Sequence, residues 1–211
     1  MRAAPPDHVA DPVRSRAPVN VPNALTLLRL LLVPVFGWLL LRDGGNNAGD
    51  RIVAAVVFVI AGATDFADGW LARRQGLVTN FGKIADPIAD KALTGAALIC
   101  LSVLGDLPWW VTIVILVREL AVTALRFWVI RFGVIPASRG GKVKTAAQLL
   151  AILLYVLPVT GWLLTARSGV MAVAVGLTMV TGLDYAVRAV HLRRVSPPHS
   201  DPAATPVAPL A

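Results

Sequence analysis

Four aspartates lie close together in the sequence, inside stretches that are otherwise apolar. Asp65 and Asp68 stand near the end of one such stretch, and Asp86 and Asp90 stand near the start of the next. At ~100° per residue, the members of each pair are about 60° and about 40° apart, so each pair occupies one face of its helix. Two antiparallel helices joined by a short turn can point these faces at each other. The spacing therefore predicts a cluster of four carboxylates.

Such a cluster needs neutralising cations, because four carboxylates in a medium of low dielectric repel one another strongly. Mg²⁺ or Mn²⁺ fits, since hard divalent cations prefer carboxylate oxygen and keep open positions for water and phosphate. Zinc is disfavoured, because His8, His191 and His199 lie in or near the ends of the chain. The aspartates therefore predict a divalent-metal site at which a phosphate-bearing ligand can bind.

The elements that would hold this site are transmembrane helices. The chain has 211 residues, of which 56% are hydrophobic and only 15% are Asp, Glu, Lys or Arg. A helix that crosses the hydrocarbon needs ~20 mainly apolar residues, because its backbone amides must be satisfied internally. Six stretches meet this requirement, over residues 23–41, 52–73, 82–104, 108–130, 144–164 and 170–190. We therefore predict an all-α integral membrane protein, folded as a six-transmembrane-helix bundle.

The distribution of basic residues indicates how this bundle lies in the membrane. With the N-terminus inside, only Arg42, Arg51 and Arg167 fall in outer loops, and the other Lys and Arg residues lie at or near the inner side. Both termini are therefore predicted to be cytoplasmic. The aspartates then lie near the cytoplasmic face of the cell inner (plasma) membrane.

The two ends of the chain differ from its apolar middle. Residues 1–20 are polar and contain proline without the apolar core of a signal peptide, and residues 195–211 are rich in Pro and Ala. Both are predicted to be disordered cytoplasmic tails, which leaves residues 21–194 as the membrane domain. The net charge of +8 is expected to face the anionic headgroups of the lipid bilayer and not nucleic acid. The single cysteine, Cys100, is predicted to be a buried thiol.

Eight residues, of which four are the aspartates, form a pattern that resembles the signature of the CDP-alcohol phosphotransferase family. They fit D-x2-D-G-x2-A-R-x8-G-x3-D-x3-D without a departure, from Asp65 to Asp90. The stretches 22–29, 118–120 and 141–145 also look like bacterial, particularly actinobacterial, members that make phosphatidylglycerophosphate. The resemblance covers most of the chain. It implies a six-helix bundle, a homodimer and a polar cavity open to the cytoplasm.

The resemblance also implies an activity. A phosphatidyl group would pass from CDP-diacylglycerol to sn-glycerol 3-phosphate with release of CMP, in a divalent-metal-dependent reaction of phospholipid biosynthesis. Two metal ions would be bridged by Asp65 and Asp86. Asp68 would complete one metal site and Asp90 the other, and Asp90 would also be the general base that accepts the proton of the attacking alcohol.

A second set of residues would bind the substrates if the same resemblance holds. The positions expected to hold CDP-diacylglycerol are Gly69, Ala72, Arg73, Thr79, Asn23 and Thr26. The acceptor's doubly charged phosphate needs cations, and those near the inner ends of the fourth and fifth spans are Arg118, Arg139, Lys142 and Lys144. The plainer reading is helix packing for the small residues and membrane anchoring for the basic ones. Two further acids, Glu119 beside Arg118 and Asp184 four residues before Arg188, are expected to form structural ion pairs.

Two other functions fit parts of the sequence. The same family includes enzymes with another acceptor, such as a phosphatidylinositol phosphate synthase or a cardiolipin synthase, and the signature concerns only the CDP side. Intramembrane carboxylates also occur in cation and proton transporters. Here the acids crowd at one side of the membrane and form no path across it, which favours an enzyme.

Overall fold

Six α-helices make up most of the described structure. The computed structural model describes the backbone of residues 21–75, 80–129 and 139–195, and the side chains there except those of residues 21–23, 65–75, 80–87, 90, 126, 129, 139, 140, 142 and 192–195. The helices are α1 Val21–Leu41, α2 Ala48–Gln75, α3 Asn80–Val103, α4 Trp109–Val129, α5 Arg139–Val156 and α6 Trp162–Val195. These ranges contain no strand, which confirms the all-α prediction for this part of the chain. The two predicted tails lie outside the described residues, except for Val195 at the end of α6.

Each predicted span corresponds to one helix, but the boundary between the last two was wrong. The sequence placed that connection at residues 165–169, whereas it lies at residues 157–161. Pro158 accounts for the difference, because it lacks an amide hydrogen and its ring clashes with a preceding helical turn. Gly161 follows with a φ of +64°, a conformation that glycine adopts readily and that lets the chain reverse. Arg167, expected in a loop, consequently lies within α6.

Aromatic and branched side chains fill the centre of the bundle. Helix α1 packs against α2 and α3, and α6 packs against α4 and α5. The rings of Phe36 and Phe58 lie with their centroids 5.7 Å apart and join α1 to α2. Leu98 of α3 and Ile152 of α5 are fully buried in the same core. Cys100 is buried there as a free thiol, as the sequence predicted.

The outward faces of the helices are apolar as well. Trp38, Val117 and Leu183 are among many large apolar side chains that are mostly exposed on the bundle surface. Of the described segments, Ala24–Gly45 and Trp162–His191 are long and apolar enough to cross a membrane. These features are consistent with a membrane protein, because an apolar surface of this extent is unusual on a soluble monomer.

Charged residues interrupt the apolar runs of the middle helices. Arg118 and Glu119 lie halfway along α4, and Lys91 lies halfway along α3. Intramembrane charges are costly and usually face a bundle interior or a site. Lys91, Arg118 and Glu119 are therefore candidate functional groups.

A network of charged groups ties one end of the bundle together. Arg51 in the first turns of α2 pairs with Asp106 in the α3–α4 connection, and its guanidinium also donates to the carbonyls of Val156, at 3.1 Å, and Tyr155, at 3.3 Å. Arg167 of α6 lies 4.0 Å from the second oxygen of Asp106 and over the ring of Tyr155. The α1–α2, α3–α4 and α5–α6 connections therefore lie at the same end, as in an up-and-down bundle.

We predict that Asp106→Ala lowers the stability of the folded bundle. It leaves Arg51 partly buried without its carboxylate, and we expect a loss of about 2 kcal/mol, below the ~3–5 kcal/mol of a fully buried pair. The measurement is the thermal unfolding midpoint of the purified protein in detergent. Asp184→Ala is the matched control, because it breaks an exposed pair with Arg188 worth only ~0.5 kcal/mol. Equal midpoints for the two variants would contradict the prediction.

Candidate functional site

The four aspartates occupy the two helical segments that flank residues 76–79. Asp65 and Asp68 lie in the second half of α2, and Asp86 and Asp90 lie in the first half of α3. The two helices contact each other. The structure thus confirms the helices that carry the four residues, whose side chains lie outside the described set. Among the side chains that are described, no three His, Cys, Asp or Glu form a group that could hold a metal ion.

Most of the other predicted substrate contacts also fall outside the described side chains. Thr79 lies outside the described backbone, and helical positions without a described side chain are those of Asn23, Gly69, Ala72, Arg73, Arg139 and Lys142. Thr26, Arg118 and Lys144 are fully described. The side-chain contacts of the candidate site are therefore described at these three residues and their neighbours.

Glu119 is the centre of a compact group of charges inside the bundle. Its Oε1 accepts hydrogen bonds from the ammonium of Lys144 and from the guanidinium of Arg118, the latter at 3.0 Å. Its Oε2 lies 3.6 Å from the ammonium of Lys91. One carboxylate of α4 thus gathers cations from α3, α4 and α5. We refer to Lys91, Arg118, Glu119 and Lys144 as the basic cluster.

The basic cluster is shielded from solvent to different degrees. The Lys144 side chain is only 8% exposed, whereas that of Lys91 is 28% exposed. Because three cations surround one carboxylate, the cluster carries a surplus of two positive charges. Ionic interactions strengthen as the surroundings become less polar, so this surplus favours a doubly charged anion that reaches the cluster.

A cavity of about 160 Å³ adjoins the basic cluster between α3, α4 and α5. Lys91, Glu119 and Lys144 line it on one side. Its other walls are small, polar or apolar residues, namely Thr94, Gly95, Leu116, Leu120, Thr145, Gln148 and Leu149. A cavity with a few charged and polar side chains among apolar ones has the usual composition of a ligand site.

Helix α3 connects the aspartates to the basic cluster. Lys91 directly follows Asp90 in the chain, so their Cα atoms are separated by ~1.5 Å along the helix axis and ~100° around it. The residue predicted to be the general base and a residue lining the cavity therefore belong to the same helical turn. An acceptor anchored at the cluster would lie next to the acidic helix face.

Helix α1 is fixed to α2 one turn before the first aspartate. Arg29 is fully buried, and its Nε donates to the carbonyl of Ala61 at 3.1 Å. Thr64 donates its hydroxyl to the same carbonyl at 2.8 Å. Thr26, three residues before Arg29 in α1, is also fully buried. These contacts set the position of α1 relative to the segment of α2 that leads into Asp65.

Two sequence predictions on ion pairs are confirmed. Glu119 pairs with Arg118, although the structure adds two lysines that the local sequence did not indicate. Asp184 accepts a hydrogen bond from Arg188 at 3.0 Å, one helical turn away. Both pairs were predictable because their members are neighbours in sequence.

Lys91, Arg29 and Thr181 are among the polar residues of this region to which the sequence analysis assigned no role. The signal for Lys91 and Arg29 was present, since a cation within a predicted span indicates a partner or a site. Thr181 of α6, which accepts a hydrogen bond from Arg118 at 2.8 Å, carried no such signal. A threonine in an apolar helix is common, and its partner is 63 residues away.

Comparison with known proteins agrees with this arrangement. Residues 19–180 match the family model described as CDP-alcohol phosphatidyltransferase. That segment includes all four aspartates and the basic cluster. It ends within α6, about one helical turn before Asp184.

Several curated proteins are similar to this chain over most of their length. A probable phosphatidylglycerophosphate synthase of Mycobacterium tuberculosis (strain H37Rv) is 58% identical over 170 residues, which cover 81% of each chain. A CDP-diacylglycerol–glycerol-3-phosphate 3-phosphatidyltransferase of Bacillus subtilis (strain 168) is 41% identical, over 79% of this chain and 93% of its own. A protein of the same name from Rickettsia felis is 38% identical, with the same coverage. Because it carries the complete signature and matches the family model over most of its own length, the chain belongs to the CDP-alcohol phosphatidyltransferase family.

Proposed function

We propose that the chain transfers a phosphatidyl group from CDP-diacylglycerol to sn-glycerol 3-phosphate, forming phosphatidylglycerophosphate and releasing CMP. The observation that favours a phosphorylated acceptor is the basic cluster, which adjoins a cavity and includes Lys91, the residue that follows Asp90 in α3. The names of the relatives at 58% and 41% identity support the same reaction. The relatives named above are a synthase and transferases, which favours the enzyme over the transporter.

Charge complementarity favours a phosphorylated acceptor. A phosphomonoester carries about −1.5 to −2 charges at neutral pH, which matches the surplus of two positive charges in the basic cluster. Lys91 and Lys144 line the cavity, and the Arg118 guanidinium shares Glu119 with them. Arg139 and Lys142, near the start of α5, are proposed as additional cations for the same phosphate.

The CDP-diacylglycerol is proposed to bind along the end of α2. Gly69, Ala72 and Arg73 belong to the family signature and lie in this segment, with Thr79 just beyond it. Small residues allow close approach of a nucleotide, and a guanidinium can hold a diphosphate with two parallel hydrogen bonds. Asn23 and Thr26 of α1 are proposed as weaker contributors, since Arg29 fixes α1 beside this part of α2.

The residues of the acidic helix faces fit a pair of divalent cations. The donors are four carboxylates on two helices in contact, and this all-oxygen donor set suits Mg²⁺ or Mn²⁺. Asp65, Asp68, Asp86 and Asp90 would hold the two ions, with Asp65 and Asp86 shared between them. When bound, the ions supply positive charge that offsets the negative charge of the diphosphate.

The chain's own residues would carry out the remaining chemistry. Asp90 accepts the proton of the primary hydroxyl of glycerol 3-phosphate as that oxygen attacks the phosphorus of the phosphatidyl group. A phosphorus–oxygen bond to the phosphatidyl group forms, and the bond to CMP breaks. Lys91, Arg118 and Lys144 hold the acceptor's own phosphate, so the hydroxyl is presented to Asp90 in a fixed orientation.

The proposal includes a membrane location. The six helices would be six spans with both termini in the cytoplasm, so that the site faces the cytoplasmic side of the inner membrane. The apolar outward faces support the six spans, and the excess of Lys and Arg on the inner side, predicted from the sequence, supports the orientation. A homodimer is proposed from the family resemblance.

The proposed function predicts which acceptor and which metal ions the reaction requires. Purified protein given CDP-diacylglycerol and Mg²⁺ or Mn²⁺ should release CMP with glycerol 3-phosphate, because its dianion matches the basic cluster. Excess chelator should abolish turnover, and added Mg²⁺ should restore it. Inositol phosphate and phosphatidylglycerol are the comparison acceptors. Preference for either of them would keep the family and correct the acceptor, while metal-independent turnover would contradict the proposed metal site.

A second prediction concerns the general base. Asp90→Asn should lower kcat at least about 100-fold, because the amide cannot accept the hydroxyl proton. Binding of CDP-diacylglycerol should be much less affected, since the substitution preserves shape and three carboxylates remain. CMP release and binding of the CDP-lipid are measured on the same preparation. Asp184→Asn serves as control, and near-normal turnover of the Asp90 variant would show that another group accepts the proton.

A third prediction concerns the lysines that line the cavity. Lys91→Ala and Lys144→Ala should each raise the KM for glycerol 3-phosphate about tenfold, because each removes a charge-assisted hydrogen bond to its phosphate. The KM for CDP-diacylglycerol should stay within about twofold. Arg42→Ala removes a positive charge at the opposite end of the bundle and should change neither value. A loss of folded protein without any selective change in KM would instead identify the lysines as structural.

A further inference from the structure

Gly182 of α6 lies directly against the side chain of Arg118. A Cβ atom placed on Gly182 would be 2.8 Å from Nε of Arg118 and 3.2 Å from its Cγ. Both distances are shorter than ordinary van der Waals contact. The Arg118 side chain can therefore occupy its observed position only because residue 182 has no side chain.

The neighbouring residue, Thr181, holds the far end of the same guanidinium. Its hydroxyl accepts a hydrogen bond from Nη2 of Arg118 at 2.8 Å and donates its own hydrogen to the carbonyl of Leu177 at 2.7 Å. The bond to Leu177 fixes the direction of the hydroxyl hydrogen, so an oxygen lone pair faces the guanidinium. Nη1 of Arg118 donates at the same time to Glu119.

The remaining guanidinium nitrogen shows that packing sets this position. Nε of Arg118 is buried and has no hydrogen-bond partner among the described residues. Buried donors are normally paired. Because Nε of Arg118 has no such partner, packing against Gly182, and not a hydrogen bond from Nε, sets the position of this part of the side chain. Nη2 and Nη1 of the guanidinium are hydrogen-bonded to Thr181 and Glu119, and the side chain packs against the backbone of α6 at Gly182.

We infer that Thr181 and Gly182 are positioning residues for the acceptor phosphate. They act through Arg118, whose guanidinium they hold beside Glu119 within the basic cluster. The inference rests on the proposed function, because it assigns Arg118 to the acceptor. It adds α6 to a site whose described cavity lining comes from α3, α4 and α5, and both residues follow the segment 19–180 that matches the family model.

Gly182→Ala tests the steric part of the inference. The added methyl group should displace Arg118 and raise the KM for glycerol 3-phosphate about tenfold, the effect of one lost charge-assisted hydrogen bond. The KM for CDP-diacylglycerol and the kcat at saturating acceptor should stay within about twofold of the wild type. Gly176→Ala is the matched control, because it makes the same change in α6 where a Cβ would meet nothing within 4 Å.

Thr181 gives an independent test that does not depend on added bulk. Thr181→Val keeps the shape and removes the hydroxyl, so it should raise the same KM, whereas Thr181→Ser keeps the hydroxyl and should behave as the wild type. In the absence of the CDP-lipid, added glycerol 3-phosphate should raise the thermal unfolding midpoint of the wild type and of Thr181→Ser more than that of Thr181→Val. This readout detects acceptor binding without turnover.

The outcomes separate the inference from the proposed function. A wild type without turnover on glycerol 3-phosphate would overturn the proposed function. A wild type that is active, with Gly182→Ala equal to Gly176→Ala and Thr181→Val equal to Thr181→Ser, would overturn the positioning role alone. Equal increases in the KM of both substrates would also overturn it, because they would indicate a general distortion of the bundle.

Discussion

A charge inside an apolar bundle has to be paired, and the arrangement of α3, α4 and α5 follows from how this chain pairs its charges. Glu119 of α4 would be costly to bury alone. It is compensated by Arg118 beside it, by Lys91 of α3 and by Lys144 of α5. None of the four can move far without leaving a charge unpaired in surroundings of low dielectric. The same ion pairs that hold three helices together therefore also fix the geometry of the candidate acceptor site.

The opposite end of the bundle obeys the same constraint with a different result. There Arg51 pairs with Asp106 and also donates hydrogen bonds to the carbonyls of Tyr155 and Val156. These contacts join the start of α2 to the α3–α4 connection and to the end of α5, so the network is structural. In the basic cluster, two ammonium groups share one carboxylate and face a cavity. A lysine ammonium has three donors, so these groups retain capacity for an anion. Unused donors beside a cavity, and not the number of charges, distinguish a binding cluster from a structural one.

The sequence indicated the helical segments and the local ion pairs, because both depend on residues that are close in the chain. The apolar runs located six helices, and the spacings of Arg118 with Glu119 and of Asp184 with Arg188 located two pairs. The turn after α5 was misplaced because the apolar composition of residues 157–164 masked the helix-ending effect of Pro158. The contacts between Lys144 and Glu119, 25 residues apart, and between Arg118 and Thr181 needed the tertiary structure. The metal-binding prediction rests on the signature, since the structure adds only the helices that carry its four aspartates.

The presence of Glu119 among the cations has a consequence for how an acceptor binds. Three cations without a carboxylate would repel one another, and the empty site would open or fill with counterions. With Glu119 in place, the ammonium and guanidinium groups are already gathered, largely desolvated and oriented before any substrate arrives. Part of the ordering and desolvation that binding would otherwise require is thus completed during folding, which is how preorganised sites gain affinity. Because Glu119 also offsets one of the three positive charges, the surplus matches a phosphomonoester better than a singly charged phosphodiester, and selection between acceptors can begin with charge alone.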